Sequence, residues 1–344
     1  MWEREWEPIV IVLGLVAVLL ANPLSPTLVV INGLMISLLG FKLYRTTRQA
    51  HRLLREKHVP VAVLIGKSES VADSMWLDIE RVMVRWGFEA DQYRRDFDVE
   101  REDVFMHHEE ALPADPNVWL QRARDFRRRI ERVGSRLPGR KVFHMFVNGP
   151  ISLAVGLGAS IGTVYEVVVH QWFPGTGPSP YHPVVDFYAL SKTNPRGTHF
   201  IEDAVDGEFR YVVGEGSPGD TQELYVSVCM ARDDPRMDVD HLVEEARAAG
   251  RSAGVFHVVQ RERRSLESGD DWILCAREIL TLVFHQVSAA KRERVHFFLT
   301  APTALAFAVG MGLEHFLPIT VHSWRPQEGR YQPALSLEQL ARMV

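Results

Sequence analysis

The sequence predicts an α/β chain of two tandem Rossmann-like halves with parallel sheets, preceded by an N-terminal transmembrane hairpin of two helices. Three observations carry this prediction: two apolar runs within the first 44 residues with a pair of prolines between them, a repeat at an offset of 152 residues, and a strand–helix–strand pattern in each copy. Composition agrees, since 46% of the 344 residues are hydrophobic and 24% charged, enough to build a core and too apolar for a disordered tail. The two cysteines, Cys229 and Cys275, exclude a disulfide scaffold and are too few for a thiolate zinc site, which suits a reducing compartment.

The first element is the hairpin, residues 1–45. Ile9 to Ala21 (IVIVLGLVAVLLA) and Thr27 to Phe41 (TLVVINGLMISLLGF) flank Pro23 and Pro26, which cannot continue a helix and so turn the chain back. With their flanks the spans run over about 6–21 and 27–44, the short end of the roughly 17–25 residues a crossing helix needs. Trp2, Trp6 and Tyr44 stand where interfacial aromatics would. The start carries three glutamates and one arginine, unlike a signal peptide; burial of both runs in a soluble core is the other reading of segments this short. Gly33 and Gly40 permit close helix approach in lipid, and Asn32 can hydrogen-bond across it.

Next comes a basic stalk, residues 46–58. The net charge of −5 is unevenly placed: residues 1–41 carry −2, residues 42–57 carry +5, and the remainder is −8. Positive charge directly after the second span predicts that residues 42 onward are cytoplasmic, with both termini on that side. An acidic body argues against a duplex nucleic-acid surface, whose affinity comes mainly from phosphate neutralisation.

The repeat follows. HMFVNGP from His144 aligns with HFFLTAP from His296, and the same offset of 152 pairs Gly158 with Gly310, His170 with His322 and Trp172 with Trp324 without a gap. Tyr181-His182-Pro183 matches Tyr331-Gln332-Pro333 at an offset of 150. In each copy a short apolar run (142–147, 295–299) predicts a strand buried on both faces. A proline then opens a helix of small residues (150–160, 302–314), and a second strand follows (164–172, 318–324). Strands at 60–65 and 223–231 open the two halves. Helical stripes at 71–86 and 120–133 match those at 242–249 and 273–287. Residues 59–183 form the first half, 184–218 the connection and 219–344 the second half.

In an open parallel sheet, ligands bind beyond the carboxyl ends of strands, where free N–H groups attract anions. Those ends carry Lys67, Ser68 and Ser70 after the first strand, Asn148, Gly149 and Pro150 in the first half, Arg232 after the strand that opens the second, and Thr300, Ala301 and Pro302. Lys67 is either a phosphate contact or a solvated turn. Gly66-Lys67-Ser68 is no P-loop, because Val61 stands where that motif requires glycine. Gly156, Gly158 and Gly162 are no dinucleotide fingerprint, with Ile161 in the third position. His107-His108-Glu109-Glu110 reads as a solvated acidic loop, His144 and His296 as core histidines, and Arg122 to Arg136 as an exposed helix face. No nucleophile and base pair, paired carboxylate or metal cluster is recognisable.

The phrase HMFVNGPISLAVGLG, followed by YEVVVHQW and Tyr181-His182-Pro183, resembles the SAVED domain, a fused pair of CARF-like Rossmann halves, over about residues 58–344. The resemblance implies a non-enzymatic sensor of a cyclic oligonucleotide in bacterial antiphage signalling, without a resident cofactor or metal. With the hairpin in front, the chain resembles the two-helix transmembrane SAVED effectors of the bacterial inner membrane. Their implied output is self-association on ligand binding and damage to the bilayer. A cyclic tri- or tetranucleotide would then place phosphates near Lys67, Ser68 and the helix starts, and bases near Trp172, Tyr181, Trp324 or Tyr331. The enzymatic alternative is a membrane-tethered ring nuclease that degrades the same ligand.

Overall fold

The computed structural model describes residues 40, 42, 56–175, 180–188, 209–262, 264–288, 292–313 and 318–341. The expected hairpin and most of the stalk fall outside them. Among the described residues no helix is long and apolar enough to cross a membrane. Internal contacts divide the chain into two units, Met1–Glu56 with Pro138–Arg140, and Lys57–Leu137 with Lys141–Val344. The first contributes an ion pair between Arg140 and Glu56 at 3.4 Å; the second holds both sheets.

The first half runs β1 (Lys57–Ile65), α1 (Glu69–Val84), α2 (Ala90–Phe97), α3 (Arg101–Val104), β2 (Phe105–His108), α4 (Pro116–Arg136), β3 (Lys141–Asn148), α5 (Ile151–Ile161), β4 (Glu166–Trp172) and β5 (Tyr181–Asp186). The second runs β6 (Val212–Glu215), β7 (Glu223–Cys229), α6 (Arg236–Ala248), β8 (Ala253–Gln260), α7 (Trp272–Ser288), β9 (Arg294–Thr300), α8 (Thr303–Leu313), β10 (Ile319–Arg325), β11 (Arg330–Ser336) and α9 (Leu337–Ala341). The sheet orders are β2-β1-β3-β4-β5 and β11-β10-β9-β7-β8-β6.

Each sheet therefore has a parallel core of four strands, and these cores match strand for strand, with β2-β1-β3-β4 corresponding to β8-β7-β9-β10. The expectation of parallel sheets needs correction: β5 and β11 close their sheets antiparallel, and β6 adds a second antiparallel edge to β8. These edges are short and broken by proline or glycine, so period-2 patterning did not expose them. β5 extends to Asp186 and β6 lies at Val212–Glu215, so both reach into the stretch read as connection. His107 and His108 likewise end strand β2 rather than lying in a loop, pairing with Leu64 and Ile65.

The repeat is reproduced down to its irregularities. The β4–β5 ladder shifts register between Val169 and His170, and the β10–β11 ladder between Val321 and His322, so a bulge recurs at the offset seen in the sequence. Trp119 at the start of α4 donates its indole N–H to the Pro113 carbonyl at 2.7 Å, and Trp272 at the start of α7 donates to Glu267 O at 2.7 Å.

Both halves share one apolar core. α5 and α8 are buried along nearly their whole length and pack on one another, which explains their run of small apolar residues without a polar face. Pro150 and Pro302 stand just before the first helical residue, where the missing N–H costs nothing.

Candidate functional site

The loop after the opening strand of each half lies against the loop after its third strand. In the first half Leu64 pairs with Asn148, so β1 and β3 end side by side, and Gly149 packs so close to Ile65 that a Cβ would stand 3.3 Å from it. In the second half Met230 N donates to Thr300 O at 2.7 Å, and the Thr300 hydroxyl donates to Asp233 O at 2.8 Å. The chain that leads into Lys67, Ser68 and Ser70 thus starts beside Asn148 and Gly149, with the loop itself fastened to β2, and Arg232 lies between Met230 and Asp233, which both bond Thr300.

Each cluster is completed by the other half. Ser152 in the first turn of α5 donates to the His322 carbonyl of β10 at 2.8 Å, while Ala304 N in the first turn of α8 donates to the Gln171 side chain of β4 at 3.2 Å. The strand ends carrying Trp324 and Tyr331 are therefore held beside the start of α5, and those carrying Trp172 and Tyr181 beside the start of α8. The result is two composite clusters, candidate half-sites related by the pseudo-symmetry of the chain.

Within them, the expected residues differ in access. Trp172 and Trp324 are 49% and 41% exposed, which leaves indole faces open to stacking. Tyr181 is only 5% exposed and meets Phe146 edge-on at 5.2 Å; burial pushes its phenol well above the ordinary value. Tyr331 is half-buried between Phe298 (5.3 Å) and Trp324 (5.2 Å), and burial raises its phenol to about 12. Ala301 and Thr300 are buried and offer backbone rather than side chain, whereas Lys67, Ser68, Ser70, Asn148 and Arg232 are exposed.

The Lys67 loop is fastened to β2. The His107 ring reaches the Lys67 carbonyl through Nε2 at 2.7 Å and the Glu69 carboxylate through Nδ1 at 3.0 Å, and Glu109 accepts from the Glu69 N–H at 3.0 Å. Ser68 and Ser70 exchange a hydroxyl contact at 3.0 Å. The Arg232 loop borders a cleft of about 570 Å³ between β6, β7 and β8, lined also by Cys229, Arg236, Arg261 and Arg264. Arg236 is held by both oxygens of Asp234 and by Glu215, and Arg264 by Asp270 and Glu262. Arg232 makes no ion pair among the described residues, which leaves its guanidinium available to an anion.

Below the strand ends lie histidine chains. His170 contacts His144, and His144 contacts His58, each at 2.9 Å. His322 contacts His296 at 3.0 Å, with Glu223 in the place of His58, 3.8 Å from His296. His170 Nδ1, His322 Nδ1 and His296 Nε2 have no hydrogen-bond partner among the described residues; in the first chain, a proton on His170 Nε2 leaves only an acceptor unmatched. Burial lowers His144, His170, His296 and His322, with His170 and His322 at about 3, and the neighbouring rings lower His144 and His322 further. These are neutral core groups in ordinary conditions.

One relay was not visible in the sequence. Asp240 on α6 accepts from His257 Nε2–H at 3.1 Å, so Nδ1 accepts from the Ser227 hydroxyl at 2.6 Å. Ser227 is completely buried, so the trio fastens α6 to the sheet and presents no nucleophile. Register brings Ser227 and His257 together; their separation of 30 residues carries no signal. Arg325, Gln171 and Ser152, which join the halves, were likewise not singled out. Among the described residues no group of His, Cys, Asp and Glu could hold a metal ion.

Residues 197–337 match the family described as "SAVED: SMODS-associated and fused to various effectors sensor domain". The fold is similar to that of the Acinetobacter baumannii Cap4 SAVED/CARF-domain containing receptor. With the structure bound to the cyclic trinucleotide 2′3′3′-cAAA the TM-score is 0.51 at 14% identity, and with 3′3′3′-cAAA it is 0.51 at 15%. In both the similarity covers 88% of this chain and 56% of the receptor, so the chain spans little more than half of that protein's length. No curated protein matches the chain.

Proposed function

We propose that the chain is a receptor for a cyclic oligonucleotide, a tri- or tetranucleotide, anchored in a bacterial inner membrane by residues 1–45. The observation that carries the reading is the crossed construction of the two half-sites. Each joins an exposed cation-bearing loop and a helix start from one half to an exposed tryptophan from the other, the donor-and-stacking set that phosphates and bases call for. A closed ring of nucleotides repeats the same chemistry around an axis, as do the half-sites. The SAVED match over residues 197–337 and the fold shared with a receptor solved with cyclic trinucleotides support it.

The output follows from tethering. Ligand-driven self-association would concentrate the apolar N-terminal runs, in which Gly33 and Gly40 would permit close packing without further affinity of their own. Bilayer disruption would abort infection of the host cell, with the protein acting as a sensor rather than an enzyme. The test is dye release from vesicles containing the full chain on addition of cyclic triadenylate and related rings. Ring-dependent leakage, lost on deleting residues 1–45 while ligand-induced thermal stabilisation persists, is expected. Stabilisation without leakage would remove the membrane output; neither effect with any ring would remove the receptor.

A further inference from the structure

We propose that Arg325 is a positioning residue that fixes the Trp324 platform against the other half; this rests on the receptor reading. Arg325 ends β10, directly after Trp324. Its guanidinium donates to the Leu112 carbonyl at 2.9 Å and the Pro113 carbonyl at 2.6 Å, and lies 5.2 Å over the Trp119 ring. Trp119 in turn donates to that same Pro113 carbonyl. One planar group thus clamps two carbonyls and an indole of the first half.

The clamped segment reaches the neighbouring candidate loop. Three residues before Leu112, Glu109 accepts from Glu69 N, and His107 holds the Lys67 carbonyl. The end of β10 and the Lys67 loop, which come from different halves but belong to the same half-site, are therefore joined through residues 107–113. The symmetry-related position carries Phe173, which follows Trp172, donates its N–H to the Pro180 carbonyl at 2.8 Å and meets His182 and Trp272 edge-on at 5.6 Å and 6.2 Å. Arg325 ties the Trp324 platform to the first half by a directional, charge-assisted clamp.

Two readouts on the full chain test this. Without ligand, acrylamide quenching of Arg325→Met should exceed that of the wild type by roughly twofold, and most of the excess should be lost when Trp324 is also replaced by Phe, the remainder coming from Trp119 beneath the guanidinium. With labelled 3′3′3′-cyclic triadenylate, Arg325→Met should weaken binding about tenfold in the wild-type background and less than about twofold beside Trp324→Phe, yet add independently to Trp172→Phe. Arg325→Lys, which keeps the charge but not the planar fork, should fall between and guards against misfolding of the Met variant. An unchanged quenching constant, or a tenfold loss of binding that persists in full beside Trp324→Phe, overturns the positioning role. If quenching behaves as stated and the wild type binds no ring, the receptor reading fails and the clamp stands.

Discussion

Gly158 and Gly310 face each other's helices in a self-complementary contact. A Cβ on Gly158 would overlap the Phe307 carbonyl oxygen and stand 2.8 Å from Met311 N, and one on Gly310 would overlap the Val155 carbonyl oxygen and stand 2.8 Å from its carbon. Val155 and Phe307 are themselves equivalent in the repeat, so one contact is made twice. The two halves meet as the subunits of a symmetric dimer would, with helices close enough that only hydrogen fits.

Either glycine replaced by alanine should therefore destabilise the body by about 1–3 kcal/mol, because the clash is with backbone and cannot be relieved by a rotamer. Thermal unfolding followed by circular dichroism should show a Tm lower by several degrees for Gly158→Ala and for Gly310→Ala. Gly87→Ala is a poor control despite its open surroundings, since its positive φ of 75° is strained for alanine; Gly269, with open space and no such φ, is the suitable one.

Stability should fall with acid below neutrality. The folded values of His144, His170, His296 and His322 lie below the ordinary 6.5 of the unfolded chain, so the unfolded state binds more protons as pH drops. The stabilisation is complete above pH 6.5 and is lost as pH falls toward about 3, where His170 and His322 themselves titrate. Each ring contributes a slope of up to about 1.4 kcal/mol per pH unit in that window. Urea unfolding between pH 7 and 4 should show the slope, and His322→Asn should reduce it; a flat profile would contradict the neutral buried chains.

Ser227→Ala should cost about 1–3 kcal/mol in urea unfolding, because it leaves the buried Nδ1 of His257 without its donor. It should leave any handling of a cyclic ligand unchanged. A loss of ring-opened product on this substitution, seen by chromatography, would make the trio catalytic and revive the ring-nuclease alternative.

How far the fold could be read beforehand depended on the type of order involved. His144 to Trp172 and His296 to Trp324 repeat without a gap, so the doubled strand–helix–strand core was legible. β2 and β6 were not, because four-residue strands such as FMHH and VVGE are too short to display a period. Strand ends located Lys67, Asn148, Arg232 and Thr300, since carboxyl edges follow from strand order alone. Crossing between halves was hidden: Ser152 with His322, Gln171 with Ala304 and Arg325 with Pro113 are contacts that depend on how α5 and α8 pack, and no linear spacing encodes them. Tyr181 looked like a stacking platform from its place in the repeat, and only the fold puts its ring against Phe146.

Trp172→Leu and Trp324→Leu should each weaken ring binding by about 1–3 kcal/mol if a base stacks on each indole. Tyr181→Leu should act through stability instead, since that ring is inside the core.

The most direct measurement is equilibrium titration of the full chain with a panel of cyclic di-, tri- and tetranucleotides by calorimetry. One ring should bind per chain, saturably, selectively and with salt-sensitive affinity, and binding should be weakened by Trp324→Leu and by Arg232→Ala, which lie in opposite half-sites. Absence of saturable binding by every ring, or binding indifferent to both substitutions, would contradict a ligand held across the two halves.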